Sequence, residues 1–414
     1  MIFKFPPSDL PLQHQSPMQP MPTYFSLVDL GMDTIKVAVV ESGQDEINVL
    51  GHGVISAKGR NIIAGRAEMA TLTAQVNNAL QTAEDGTEKI HGYKVVPDHV
   101  IFALPNHALV GKQFTVNQRR TMPKAPITNE EMNIVWERII RLARRGLMNM
   151  PNVNDEWHPQ TANLAGLWID NHRVNDLLGL SGTSISLSIY AVSCQPAWIQ
   201  ALEKLAEWLE LEIFLMVAAS QSLATIVPTK NALVFNIGVS GTDCYMICHD
   251  TLHESRHVAL GGGFFTVALR NTFGCDFQSA EALKLAFSAG TLSQKDIQLV
   301  EHAFEEPFQR WVSDVSQTIS VMCADRIVPH DIYFVGGGAV LPNLDKYLLS
   351  ILKTSNLNFE HTPHITYLGN QPLKGFTHDP VGFRGVLFAP VLSLAKTVMK
   401  KTIEGTHIPY FFKT

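Results

Sequence analysis

Three short glycine turns hold the residues best suited to chemistry, because each joins open backbone amides to polar or charged side chains. The first is Asp29-Leu-Gly31-Met-Asp33-Thr34-Ile-Lys36. Gly31 lets the backbone approach a phosphate, Thr34 and the turn amides can donate to it, and Lys36 adds a point charge. The second is Asn236-Ile-Gly238-Val-Ser240-Gly241-Thr242-Asp243, and the third is Gly336-Gly337-Gly338-Ala339. The triplet precedes a predicted helix, whose first amides favour an anion. Singly, each signal is weak: a DxG turn is commonly a plain hairpin, and a glycine triplet commonly a packing feature. In this order, each at a strand end, the three describe two similar strand–turn–strand lobes closing on a nucleotide's phosphates, with the triplet near the base or α-phosphate.

The elements that must position these turns alternate between strand and helix. Apolar runs predict strands at 25–29, 35–41, 98–104, 184–190, 211–216, 232–237, 244–249 and 332–335. Periodicity predicts helices at 66–83, 130–147, 196–209, 219–226, 264–273, 279–287, 293–328 and 384–401. In the first of these, Met69, Leu72, Val76 and Leu80 recur at three- and four-residue spacing; in the second, Thr128 is the N-cap and Glu131 stands at the capping-box position. Such alternation places the chain in the α/β class.

The bulk composition narrows the function. With 414 residues the chain exceeds what one core serves, and 46% hydrophobic with 17% charged residues is a globular balance. A formal net charge of −6 gives no electrostatic footprint for nucleic acid. Cys194, Cys244, Cys248, Cys275 and Cys323 lack zinc-site spacing and read as free thiols of a reducing cytoplasm. The N-terminus does not have the form of a signal peptide, and no apolar run reaches the length of a membrane span.

The order of the three turns resembles the superfamily of actin, heat-shock chaperones and sugar kinases, and over about 25–400 the chain resembles the bacterial cell-division protein family FtsA. Besides the turns, the resemblance is carried by His158-Pro159-Gln160, Ile169-Asp170 and Leu178-Gly179-Leu180-Ser181-Gly182, similar to a run in the small extra domain that FtsA and its relative PilM possess. Gly261-Gly262, the run from Ser279 to Lys284, and the glycine triplet with Pro342 resemble further FtsA motifs. The resemblance implies an actin-like two-lobed ATPase fold with an FtsA-type inserted small domain. Expected boundaries are a flexible tail at 1–22, a first lobe at 23–104 and 193–229, the inserted domain at 105–192, a second lobe at 230–345 with its upper part at 264–310, a return to the first lobe at 346–401, and a tail at 402–414. It also implies ATP with Mg2+ as ligand, contacts from Glu281 and Lys284 to the nucleoside, and Asp29 holding the metal through water. Expected partners are FtsZ, further copies in a filament, and a membrane surface, at a cytoplasmic, peripheral location. A PilM-like adaptor, holding a pilus-protein peptide in the interlobe cleft, is the alternative; an actin-fold kinase is the third.

Departures from the FtsA pattern weigh against fast hydrolysis. Asn236 replaces an acid, Val239 and Ser240 replace glycines, Val217-Ala218 replace a Glu-Pro pair, and Gly263 replaces an Asp. Losing one charge at about 4 Å from a cation, at an effective dielectric near 20, costs about 4 kcal/mol of attraction. Elsewhere, Arg119-Arg120 with Arg141, Arg144 and Arg145 read as a solvated basic face or a docking patch. Phe264, Phe265, Phe273 and Arg270 read as core or as an FtsZ-tail groove. The helix at 391–403 reads as packed on the first lobe, and the aromatics of 408–413 as a disordered or protein-binding end or as a bilayer contact.

Overall fold

Two hairpins built on the first two glycine turns organise the molecule. The computed structural model describes residues 23–43, 46–57, 66–150, 153, 158–324, 326–369, 376–378 and 385–403. The chain begins with a three-strand meander, β1 (Tyr24–Leu30), β2 (Thr34–Ser42) and β3 (Ile47–Ser56), then α1 (Arg66–His91) and β4 (His99–Leu104). It leaves through β5 (Leu109–Arg119), α2 (Asn129–Met148), β6 (His158–Ile169), β7 (His172–Val174) and β8 (Ser184–Cys194), and returns by α3 (Pro196–Trp208), β9 (Glu212–Ala218) and α4 (Ala219–Leu223). A second meander is made by β10 (Ala232–Ile237), β11 (Thr242–Cys248) and β12 (Thr251–Val258). Next come α5 (Gly262–Phe273), α6 (Phe277–Ser288), α7 (Gln294–Met322), β13 (Asp331–Val335), α8 (Leu344–Thr354) and β14 (His364–Tyr367). Last are β15 (Phe376–His378) and α9 (Ala389–Ile403).

These strands form three sheets, in the orders β15-β3-β2-β1-β4-β9, β12-β11-β10-β13-β14 and β5-β8-β6-β7. The first two repeat one plan. β1 lies between antiparallel β2 and parallel β4, as β10 lies between antiparallel β11 and parallel β13. Register makes the equivalence residue by residue: Asp29 faces Lys36 across the first hairpin, and Asn236 faces Asp243 across the second. Both strands read as continuous apolar runs because both faces of each sheet are covered. The first sheet buries Val76, Leu80 and Leu202 of α1 and α3 on one face, and Val391 and Leu394 of α9 on the other. The second buries Phe265, Phe304, Phe308 and Trp311 of α5 and α7, while Leu223 and Ala224 at α4 lie against its opposite face. In the third, Val135 and Ile139 of α2 pack against Phe114 and Leu187.

Several sequence expectations are corrected by packing. Strands β3, β5, β6, β12 and β14 escape a period-2 reading. In β3, Gly51 and Gly53 interrupt the pattern because the carbonyls of Ala83 and Ala79 in α1 press against them, leaving no room for side chains. The helix expected over 293–328 stops at Met322, and residue 328 pairs instead with Phe359. The helix expected from 384 starts at Ala389. α8 packs with the second core and β14 pairs with β13, so these elements stay with the second sheet and do not return to the first from 346. Phe265 is a core residue, packed on Phe304 and Phe308, and contributes to no groove. Arg120 is buried and not on a basic face: it holds Glu131 by two bonds of 2.7 and 2.9 Å and also donates to the carbonyls of Ala125 and Gly182. Glu131 therefore closes no reciprocal capping box, although Thr128 does cap α2. The segments 1–22 and 404–414, including the aromatic tail, lie outside the described residues. Among the described residues no helix is long and apolar enough to cross a membrane.

Candidate nucleotide cleft

The glycine turns meet at the ends of β1, β10 and β13. The Gly262 amide donates to Gly238 O at 2.7 Å, and the Gly263 amide donates to Val239 O at 2.8 Å. A side chain on Gly261 would strike the backbone of Gly238, Gly241 and Val239, and one on Gly338 would meet Ile237. Gly336 is left-handed, with φ of 90°, and its α-carbon faces the Asn236 side chain. These three glycines are needed so that the loops can pack on one another. Gly238 and Gly337 differ: a side chain would make only ordinary contact, with Gly241 O at the half-buried Gly238 and with Leu387 at the exposed Gly337. Gly31 closes the β1–β2 hairpin, its amide donating to Thr34 O, and Gly241 admits the ring of His257. The triplet leads into a single 3-10 turn, Gly337–Val340, and not directly into a helix.

The charged groups are already engaged with protein partners. Lys36 Nζ lies 3.1 Å from Asp29 Oδ2 and is nearly buried. Lys284 donates to Gly262 O at 3.0 Å, Thr266 Oγ1 at 2.8 Å and Glu281 Oε2 at 2.7 Å, so all three of its N–H donors are spent. Glu281 also accepts from the Thr266 hydroxyl. With Lys284 only 8% exposed, this is no solvated i,i+3 surface pair. Across the cleft Asp33 faces the same cluster. Burial, and then the negative charge of Glu281, push the Asp33 carboxyl above its ordinary value, against the pull of Lys284. The charge of Glu281 is thus felt by an acid of the other lobe.

Below, Asp243 ties the lobes. It accepts from Asn106 Nδ2 at 3.3 Å, from the Tyr245 hydroxyl at 3.3 Å, and from His257 Nδ1 at 2.7 Å. The bond to Asp243 raises the His257 pKa above its ordinary value despite burial. Thr242 turns inward, donating to Leu260 O and accepting from Trp311 Nε1, while Ser240 is exposed. Val217 and Ala218 are buried, so these two positions present no carboxylate. Thr266, His257 and Asn106 were missed in the sequence. Thr266 lies one helical turn beyond Gly262, and His257 stands opposite Asp243 in the β11–β12 register, a signal that becomes visible only once β12 is known.

Comparison with solved structures decides what this double hairpin is. The chain resembles the structure described as a PilM–PilN type IV pilus biogenesis complex, with 17% identity, a TM-score of 0.62, and coverage of 93% of this chain and 99% of that one. It also resembles the ethanolamine utilization protein EutJ from Carboxydothermus hydrogenoformans, with 13% identity, a TM-score of 0.50, and coverage of 91% and 90%. The fold is that of the actin-like ATPases. No protein-family model and no curated relative matches the chain. The likeness covers the inserted sheet as well as both lobes, and it extends to the fold; FtsA itself is not singled out.

Proposed function

We propose that the protein is an actin-like, nucleotide-binding adaptor that binds ATP in the cleft between its two hairpins and turns it over slowly or not at all. The observation that carries this reading is that all three donors of Lys284 are committed to protein acceptors, while the negative charge of Glu281 acts on Asp33 from the other lobe. ATP would be held by Lys36, by the amides around Gly31, Gly238 and Gly241, and by the open edge at Gly337, with Gly261, Gly262, Gly336 and Gly338 shaping the loops. Asp29, Asp33, Thr34, Asn236, Ser240, Thr242, Asp243, Glu281 and Lys284 line or brace that site. For Mg2+ carried by the nucleotide, the donor set fits a loose, water-mediated contact to Asp29. The equivalent position in the second hairpin is the neutral Asn236, and Asp243 is occupied by three donors. The metal, when bound, would neutralise phosphate charge; the chain's own residues would orient the triphosphate and keep the lobes closed.

As an adaptor the protein would present a surface to a peptide of a membrane-associated partner. A partner of the PilN type is favoured by the likeness to the PilM–PilN complex over 93% of the chain. The division reading, with FtsZ and a filament of copies, rests on the motif run of the inserted domain. Titration calorimetry and phosphate release on wild type, Lys36→Ala and Asn236→Asp test the nucleotide part. Wild type should bind ATP with turnover below roughly 1 s−1, the lower end of ordinary enzymes. Lys36→Ala should bind more weakly, and Asn236→Asp should depend more steeply on Mg2+. Turnover of several per second in wild type would defeat the adaptor reading and restore a kinase. Mass spectrometry of partners retained from the native host separates pilus from division proteins.

A further inference from the structure

A second site lies far from the glycine turns, where the open face of the inserted sheet meets the β11–β12 hairpin of the second lobe. There the structure forms a cleft, open to solvent on one side, of about 640 Å3, within the range of small-molecule sites. Arg173 enters from the inserted sheet, and Arg326 from the segment after α7. Both guanidiniums line this one cavity, and neither has an ion-pair partner within 4 Å among the described residues, although the charge of Asp250 acts on Arg173. Arg173 donates to Ala165 O and lies 5.5 Å over the Trp168 ring, which fixes its direction. The opposite wall is made of hydroxyls and amides. Gln113 donates through Nε2 to Ser188 Oγ at 2.8 Å, and that bond leaves Gln113 Oε1 as a buried acceptor with no donor. The cavity thus pairs a cationic rim with a wall of hydroxyls and amides, which asks for a ligand with negative charge and a hydroxyl group.

We propose that this cavity binds a small hydroxylated anion, a sugar phosphate or a hydroxy acid, clamped between Arg173 and Arg326 with its hydroxyls against the polar wall at Thr115 and Ser186. The positive field there is felt by its neighbours. His253 is held down to about 4 by burial and by Arg326, and His249 is lowered by burial and then by Arg173. Both are therefore neutral at pH 7, and a bound anion reverses that bias. Glu360, also on the lining, opposes an anion and sets the sign of a second test. The ligand would bridge the inserted sheet and the second lobe, and its binding does not depend on the nucleotide cleft.

The probes are glucose 6-phosphate and citrate, which separate phosphate from carboxylate recognition, with inorganic phosphate as the reference lacking carbon-borne hydroxyls. Calorimetry on the full chain should show one site for at least one of the two probes, about tenfold tighter than phosphate. Arg326→Gln and Arg173→Gln should each weaken it about tenfold, as expected for a lost charge-assisted hydrogen bond. Glu360→Gln should strengthen it, and Lys36→Ala should leave it unchanged. In imidazole NMR spectra the bound probe should raise the His253 titration midpoint. If neither probe moves His253, or if binding survives both arginine substitutions, the proposal is wrong. Should an arginine variant fail to fold, unchanged or weakened binding in Glu360→Gln overturns it equally.

Discussion

His257 and Asp243 are joined at 2.7 Å, and the bond sets a pH dependence that can be read at single-residue resolution. The His257 pKa is raised in the fold, so its contribution to stability is fully present below the unfolded value of 6.5 and is lost as pH rises through the higher folded value. His107 works the other way, because burial lowers its pKa, with Asp243 pulling up and His257 pushing down. His257→Gln should therefore destabilise the protein in mildly acidic solution and lose that effect above neutrality. Thermal melts of both proteins across pH 5.5 to 8.5, a span on the order of three pH units around the model-peptide histidine value, check the sign. A difference that grows with pH would refute the ion pair.

Helix and strand ends show how far the sequence was legible. The β1–β2 and β10–β11 hairpins were readable because their strands are continuous apolar runs around short glycine turns, residues 31–33 and 238–241. In the inserted sheet only β8 was readable, and β5, β6 and β7 were not. β6 carries Gly166 and hydrophilic residues, and its pairing with β8 is interrupted by register shifts, so no clean alternation survives. Among site residues, the glycines could be located but not sorted. Only packing shows that Gly336 is required by its left-handed backbone and by contact with Asn236 and Ile237 O, whereas a side chain at the exposed Gly337 would make only ordinary contact with Leu387. Gly336→Ala should cost about 2–4 kcal/mol, as strained backbone and steric substitutions do, and Gly337→Ala far less; chemical denaturation distinguishes them. In the inserted domain the buried Arg120 spans Glu131, Ala125 and Gly182. Arg120→Met should cost about 3–5 kcal/mol by leaving Glu131 without its partner, and equal stability of the two proteins would show the network to be dispensable.

At the scale of the whole molecule, one hairpin plan is used twice, and the two copies have diverged at the equivalent pair. Asp29 faces Lys36 in one and Asn236 faces Asp243 in the other, so a cation-bearing turn opposes a turn whose acid is turned to lobe closure. Lobes that stack head to tail form open filaments when the rotation does not close. In the division reading, light scattering with ATP and Mg2+ should rise with protein concentration, and a monomer at every concentration speaks for the peptide-binding reading instead. The central claim, that the cleft between the hairpins is a nucleotide site restrained by its own acids, is tested most directly by ATP affinity in Asp33→Asn against wild type. Removing the carboxylate on which the charge of Glu281 acts should tighten ATP·Mg2+ binding about tenfold, near 1.4 kcal/mol, because a charge opposing the phosphates is gone. Titration calorimetry reads this in one comparison. An affinity that stays the same or weakens in Asp33→Asn, or no ATP binding by either protein, would contradict it.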